Sequence, residues 1–260
     1  MGNIIRYAVL QREPDVLTAD ALKRAFKSFS HLTDADAVRL ALGARGILMR
    51  HLRQADARAL QSALQAEGLG VTMVAETDLP KLPEAQLLHR LELWPQGLTV
   101  YDPFGRPTAV AWPAVHLVAA AAAPCFEVNK KQTEHTRLQL DTSAGVRPKK
   151  ADDAGRKTES ESQLLLEILL ADGAALYQVD AAEFTFKYVI DRPGLSIEEK
   201  FIWLVREICH HAPQALLNAG ARDLREGRNT APVYISRTAL MDEMTWLLWQ
   251  NAQQKRFHSQ

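Results

Sequence analysis

The sequence predicts an α+β protein with a small β-α-α-β-α-β module followed by an antiparallel β meander and C-terminal helices. Apolar residues are spaced as on helices in some segments and alternate as in strands in others. Near residue 80 the mixture of helices and strands gives way to a run of strands. The 260 residues, 47% of them hydrophobic, are enough for two domains with cores of their own. We therefore expect domains at residues 1–78 and 84–260.

Six elements are predicted in the first domain, in the order strand, helix, helix, strand, helix, strand. Their predicted ranges are 3–10, 18–29, 33–43, 45–52, 53–67 and 71–76. Thr33 and Asp36 have the spacing of a capping box, which marks the start of the second helix. Gly68 follows the amphipathic third helix, at the position where a left-handed residue commonly ends a helix. These signals set the boundaries between helices and strands.

This order of elements resembles the C-terminal domain of the bacterial ribosomal stalk protein and the related fold of the small adaptor of the Clp protease. The residues from Asp56 to Gly68, with the strand that follows, are similar to the stalk domain's third helix and last strand. In that family the first helix carries basic residues that recruit translation factors, and the resemblance places Lys23, Arg24 and Lys27 at those positions. The 260 residues contain neither the stalk family's dimerisation segment and hinge nor the residues with which the adaptor holds a peptide's amino terminus.

The second domain is predicted as a meander of six strands. A connector with two prolines, Asp78–Pro83, precedes it, because proline fixes its own φ and favours an extended residue before it. The predicted strands cover residues 86–93, 98–101, 110–119, 126–140, 164–170 and 174–179. Asp102–Pro107 is predicted as a tight turn and Ala171–Gly173 as a hairpin turn. Residues 142–162 are charged and almost without apolar side chains, so we expect a disordered, mobile loop there.

Helical spacing returns after the strands. Ser196 begins a helix that ends near His211, and another helical segment is expected from Pro213. A last helix is predicted at residues 239–252, and it is apolar around much of its circumference. Such a helix must be covered by this chain or by another.

The meander and the helix that closes it resemble the pleckstrin-homology-like architecture over residues 85–211. The pattern that carries the resemblance runs from Gly97 to Val115, where two strands flank a tight turn. The resemblance implies a barrel or sandwich of strands. Because both of the families named here commonly serve binding, it also implies a surface for another macromolecule.

Charge and motifs disfavour several classes of function. Lysine plus arginine and aspartate plus glutamate both total 31, so no net positive charge attracts nucleic acid or an anionic membrane. The N-terminal apolar stretch is too short for a signal peptide, and Cys125 and Cys209 form no disulfide framework, which predicts a cytoplasmic protein. Glycine-rich phosphate loops, the zinc-peptidase motif and the nucleophile elbow are missing from the sequence. We expect no cofactor and assign no catalytic residue.

Two groups of residues in the C-terminal half are candidates for function. Trp246 and Trp249, three apart on the last helix, either fill a core or anchor a partner. Glu207 and His211 are four apart and share a helix face, so with Cys209 they could supply metal ligands. The alternative for the second group is a buried cysteine beside histidines that the end of a helix favours.

The sequence leaves two functions open. The first is a non-enzymatic macromolecule-binding, scaffold or adaptor protein, whose partner is another protein bound through the basic residues of the first helix and the tryptophans of the last. The second is an enzyme or metalloprotein whose site is assembled near Glu207, Cys209 and His211.

Overall fold

The α+β class is confirmed. The computed structural model describes residues 5–14, 17–29, 32–124 and 162–258. The first part of the chain has the predicted order of elements: β1 (Tyr7–Gln11), α1 (Ala19–Phe26), α2 (Asp34–Gly43), β2 (Ile47–Leu52), α3 (Gln54–Ala66) and β3 (Val71–Ala75). Thr33 and Asp36 form the predicted capping box at the start of α2, with a bond from the Asp36 amide to Thr33 Oγ1 of 3.2 Å. Capping residues and the spacing of apolar residues therefore predict this part of the fold.

The second part of the chain contains eight more strands and three more helices among the described residues. They are β4 (Ala85–Leu87), β5 (Leu91–Trp94), β6 (Gly97–Tyr101), β7 (Pro107–Ala111), β8 (Val115–Pro124), β9 (Ser162–Leu170), β10 (Leu176–Asp180), α4 (Ile197–His211), β11 (Leu216–Leu217), α5 (Ala219–Arg225) and α6 (Arg237–His258). The predicted strand at 126–140 lies outside the described residues. So does the predicted loop at 142–162, apart from Ser162, where β9 begins.

Two predicted strands are each divided in the structure. The segment 86–93 becomes β4 and β5, because its two ends pair with different sheets: β4 lies beside β10 and β5 beside β6. The segment 110–119 is broken by a 3₁₀ turn at Trp112–Ala114. Pro113 has no backbone N–H to donate to a ladder, so the strand stops before it. The expectation of two continuous strands was wrong.

The helical segment expected from Pro213 was also wrong. The chain first forms a turn and the two-residue strand β11, which pairs with β8 in parallel. The helix α5 begins only after Asn218, whose side chain accepts a hydrogen bond from the Ala221 amide at 2.8 Å. The meander is likewise not purely antiparallel, since β4 pairs with β10 in parallel as well.

Three sheets organise the molecule. The N-terminal sheet has the strand order β2-β1-β3, the central sheet β11-β8-β9-β10-β4, and the outer sheet β5-β6-β7. Helices α1 and α3 cover one face of the N-terminal sheet, where Val9, Leu48 and Val71 are buried. Helix α4 and the outer sheet enclose one face of the central sheet, where Val118 and Ile168 are buried.

Helix α6 fills the space between the N-terminal sheet and the central sheet. On one side Trp246 packs with Ala8, Leu10 and Ile47 of the N-terminal sheet. On the other side Leu240 and Met244 lie in a cluster with buried residues of β8 and β9. The apolar circumference of this helix is therefore covered by the chain itself. None of the described helices is long and apolar enough to cross a membrane.

The backbone at Gly46 allows α6 to approach the N-terminal sheet. Gly46 has φ of +88°, and a Cβ atom placed there would lie 2.3 Å from Cγ of Trp246. Gln11 forms hydrogen bonds with both residues of this contact. Its Oε1 accepts from the Gly46 amide at 2.9 Å, and its backbone oxygen accepts from Trp246 Nε1 at 2.7 Å. A side chain at position 46 would force the tryptophan out of its position.

Two glycine substitutions should distinguish the free-energy cost of a left-handed backbone from the additional cost of crowding Trp246. Gly68 has a similar φ of +80°, but nothing lies within 4 Å of a Cβ atom placed there. Gly68→Ala should cost about 1 kcal/mol for the left-handed conformation alone. Gly46→Ala should cost about 2 kcal/mol, since Trp246 must also move. Urea unfolding of both variants measures the difference, and equal losses would contradict the close approach of α6.

Candidate functional site

An open groove lies where α2 and β2 meet the first turns of α6. Its volume is about 270 Å³. The residues that define this α2–α6 groove are Leu40, Gly43, Met49, Ile235, Ala239 and Asp242. Residues nearly two hundred positions apart in the sequence therefore form one surface, and neither half of the chain makes the groove alone.

The wall of the groove depends on a second glycine. A Cβ atom at Gly43 would lie 2.4 Å from Cδ1 of Ile235, so a larger residue there would require the Ile235 side chain to shift. Below this contact the floor is apolar, with Phe26 and Leu48 both buried. The floor is thus suited to apolar side chains of a ligand rather than to a hydrated polar group.

The carboxylates at the rim are already paired. Asp242 accepts from Arg50 Nε at 2.7 Å; burial raises the pKa of Asp242, and the neighbouring Arg50 opposes that rise. Asp36 accepts from the hydroxyl and the amide of Thr33 in the capping box, and these hydrogen bonds lower its pKa. Asp242 is therefore paired with a cation, whereas the capping partner of Asp36 is uncharged and the cation nearest to Asp36 is Arg39.

The arginines at the rim form fewer short hydrogen bonds than the carboxylates do. Arg39 has a side chain that is 72% exposed, and its Nη1 is 3.9 Å from Asp36 Oδ1. Arg45 lies over the ring of Tyr234, with its guanidinium carbon 5.0 Å from the ring centre, and it forms no ion pair with another described residue. With Arg50 counted beside Asp242, and Arg39 beside Asp36, the rim has an excess of one positive charge, that of Arg45.

A buried polar network fixes the position of Tyr234 beneath Arg45. Asn218 Nδ2 donates to the Tyr234 hydroxyl at 2.9 Å, and that hydroxyl donates to Glu243. The other carboxylate oxygen of Glu243 accepts from the Ala219 amide at 3.0 Å. Burial raises the pKa of Tyr234, which keeps the hydroxyl protonated and able to donate. The network holds α5, α6 and the segment before α6 in fixed relation, so the groove is preformed.

Apolar side chains are exposed next to the groove. On α2, Leu42 is 73% exposed and Val38 is 39% exposed, while Ile235 on the opposite wall is 42% exposed. Large apolar residues at the surface of a folded protein often mark an interaction site when they are contiguous. Ile235 lines the groove itself, whereas Val38 and Leu42 are not among its lining residues.

No family model matches the chain. Neither a curated protein nor a solved structure is significantly similar to it.

The basic residues that the sequence singled out on and after α1 do not line the groove, and they differ in their surroundings. Arg24 Nε donates to Glu67 Oε2 at 2.6 Å, at the end of α3. Lys23 Nζ is 4.0 Å from Asp20 Oδ1. Lys27 is exposed and directly follows Phe26, which lines the groove. Of the three residues, Lys27 is the best placed to add to the positive rim.

The tryptophans of α6 pack into a hydrophobic cluster, which is one of the two alternatives that the sequence left open. Trp246 is only 6% exposed, and its indole N–H is bonded to the backbone of Gln11. Trp249 is partly buried against the same cluster. Trp246 is therefore too deeply buried to serve as an exposed anchor for a partner. The expectation that it could bind a partner from the surface is corrected.

The second group of candidates does not form a metal centre. Cys209 is 2% exposed, and burial raises its pKa to about 12, so it is a protonated core thiol. His211 stacks on Trp112 with ring centres 4.9 Å apart, and its Nε2 is 3.7 Å from Glu207 Oε2. In the part of the chain that the structure describes, no group of three His, Cys, Asp or Glu residues is arranged to hold a metal ion.

Sequence reasoning missed the groove itself. Its walls come from α2 and from the start of α6, and no local pattern indicates that these two segments meet. The one available signal was the pair Gly43 and Gly46 just before the apolar run Ile47–Met49, since glycine permits a close approach of another element.

Proposed function

We propose that the protein is a non-enzymatic binding protein, acting as a scaffold or adaptor, that holds an acidic amphipathic segment of another protein in the α2–α6 groove. The observation that supports the proposal is an open apolar groove with a positive rim at the junction of the two halves of the chain. A segment bound there would contact both halves at once.

The size and shape of the groove favour a peptide segment. Sites for small molecules commonly enclose roughly 300–1,000 Å³ and bury most of the ligand. The groove holds about 270 Å³ and is open to solvent, with Ile235 exposed on one wall. An amphipathic helix laid along such a groove inserts apolar side chains from one face and leaves its polar face in water.

Charge selects an acidic segment over a basic one. Arg50 pairs with Asp242 and Arg39 lies 3.9 Å from Asp36, so Arg45 is the guanidinium at the groove that has no carboxylate partner among the described residues. Carboxylates on a bound segment would therefore meet guanidinium groups at the rim. Charge complementarity of this kind raises the rate and the specificity of association, and salt weakens it.

Selection of a displayed library of random 16-residue peptides on the full chain tests the proposal. We expect the selected peptides to share apolar residues at helical spacing and an excess of aspartate and glutamate. Their binding, measured by fluorescence anisotropy, should weaken about tenfold or more when Arg39→Glu and Arg45→Gln are combined, since three units of charge change at the rim.

A matched variant controls for a general change in charge. Arg53→Glu with Arg58→Gln alters charge equally at two exposed residues that do not line the groove. It should change binding less than twofold. If Arg45→Gln destabilises the fold, Arg39→Glu alone carries the test, because Arg39 is 72% exposed. The absence of any selected binder, or binders that both variants weaken equally, would rule the proposal out.

A further inference from the structure

Strand β7 is an edge of the outer sheet, and its backbone is accessible. It pairs with β6 over its whole length, whereas no strand among the described residues pairs with its other side. Within β7 only Val110 is buried, and the other residues of the strand are exposed. An edge of this kind offers unpaired N–H and C=O groups to another strand.

The hydrogen bonds at the two ends of the β6–β7 ladder show which backbone groups of β7 point outward. At one end the Asp102 amide donates to the backbone oxygen of Arg106 at 3.1 Å, and at the other end the Trp112 amide donates across the same ladder. Backbone groups of successive residues point to opposite sides of a strand, so the even-numbered residues between these ends face β6. The N–H groups of Ala109 and Ala111 therefore point away from the sheet, and neither has a partner among the described residues.

The edge lacks the features that commonly protect such strands. Charged side chains, bulges and prolines within the strand usually prevent an edge from pairing with another chain. The segment Pro107–Ala111 carries no charge, and its proline stands at the first position, which leaves the later N–H groups available. Asp102 and Arg106, in the turn before β7, form an ion pair with each other at 2.6 Å. A second identical strand would therefore meet no charge repulsion at this edge.

Exposed apolar side chains lie at both ends of β7. Phe104, in the turn before the strand, is 84% exposed, the highest exposure of a large apolar side chain among the described residues. Pro113, which follows the strand, is exposed as well. In an antiparallel pair of β7 strands centred on Ala109, position 104 of one copy lies opposite position 114 of the other. Each Phe104 would then lie beside Pro113 of the second copy, once at each end of the ladder.

We propose that two copies of the protein associate through β7, whose strands pair antiparallel about Ala109 and join the two outer sheets into one continuous sheet. The Ala109 amide of each copy would donate to the Ala109 oxygen of the other, and each Ala111 amide would donate to the opposite Pro107 oxygen. The missing N–H of Pro107 leaves only the Ala111 oxygen of each copy without a donor in this ladder. A single two-fold rotation thus satisfies the outward N–H groups of both copies and covers both Phe104 side chains.

Sedimentation velocity of the full chain at roughly 5–500 µM tests the proposal, since a contact as small as one short ladder gives weak, reversible association. We expect the sedimentation coefficient to rise with concentration. Ala109→Pro should prevent this rise, because it removes an outward N–H and leaves the hydrogen bonds to β6 in place. Ala109→Ser retains the N–H, so this matched control should associate like the original chain.

Two charge variants distinguish pairing with a second copy from any other use of this edge. Residue 109 of one copy would lie opposite residue 109 of the other, so Ala109→Lys and Ala109→Glu should each associate about fivefold more weakly than the original chain. An equimolar mixture of the two should associate more tightly than either alone, because opposite charges then face each other.

The proposal is overturned if the original chain stays monomeric over the whole range, if Ala109→Pro associates unchanged, or if the mixture associates no more tightly than its components. The charge variants also carry the test if Ala109→Pro does not fold. None of these outcomes bears on the α2–α6 groove, because residue 109 does not line it.

Discussion

Trp246→Ala is expected to lower the free energy of unfolding by about 3–5 kcal/mol, the largest loss that we expect from one substitution. The tryptophan is 6% exposed and packs against Ala8, Leu10 and Ile47 of the N-terminal sheet. Its removal leaves a cavity between α6 and that sheet, and it also removes the donor to the backbone oxygen of Gln11. Urea unfolding monitored by far-UV circular dichroism measures the loss.

The same substitution should loosen the N-terminal sheet before the central sheet unfolds. Helix α6 retains Leu240 and Met244 against the central sheet, so only its contact with the N-terminal sheet is weakened. Trp94→Ala is the matched control, because the side chain of Trp94 is 49% exposed, and it should cost less than 1 kcal/mol. Similar losses for the two variants would contradict the role of α6 as the joint between the sheets.

Glu167 is expected to make stability depend on pH between about 4.5 and 7. Its side chain is completely buried in β9; Oε1 is 3.4 Å from Arg237 Nη2, and Oε2 has no hydrogen-bond partner among the described residues. Burial raises the pKa of Glu167 to about 7 from an ordinary value of 4.5, and Arg237 only partly offsets this. The folded state therefore binds this proton more tightly than the unfolded state does.

The direction of the effect follows from that difference in proton binding. As the pH rises from 4.5 to 7, the unfolded state loses the proton first, so the free energy of unfolding falls by about 3 kcal/mol and then levels off. Glu167→Gln should abolish this fall, because glutamine does not titrate. The variant should consequently be more stable than the original chain at pH 8 and similar to it at pH 4.

Urea unfolding of both chains between pH 4 and pH 8 measures this contribution as a difference, which cancels the titration of all other groups. Glu183→Gln, at an exposed residue, is the control and should leave the pH profile unchanged. Parallel profiles for Glu167→Gln and the original chain would show that the Glu167 carboxyl has the same pKa in the folded and unfolded states, contrary to our account.

The sequence predicts those parts of the fold that local signals determine. The capping boxes at Thr33 and Ser196 placed α2 and α4 within one residue of their observed bounds, whereas α6 continues six residues beyond its predicted end at 252. The strands were less well predicted where pairing is not local. Nothing in residues 86–93 indicates that the Leu88 amide donates to the backbone oxygen of Gln178. This hydrogen bond extends the pairing of β4 with the central sheet.

The candidate site could not be predicted because its walls are distant in the sequence. The apolar circumference of α6 showed that the helix is covered, but hydrophobicity does not specify what covers it. The chain itself supplies the cover, and in doing so it places Ile235 and Asp242 opposite Gly43 and Met49. The positive rim depends on which charges are paired, and only the structure shows that Arg50 neutralises Asp242.

Hydrogen–deuterium exchange of the full chain, with and without an acidic peptide selected from the library, tests the central claim most directly. The claim is that one groove, formed jointly by α2 and the first turns of α6, binds the peptide. We expect slower exchange at residues 36–49 and at residues 235–242 together, with little change in α3 or α4. Protection in only one of the two segments, or in neither of them while the peptide is bound, would contradict the claim.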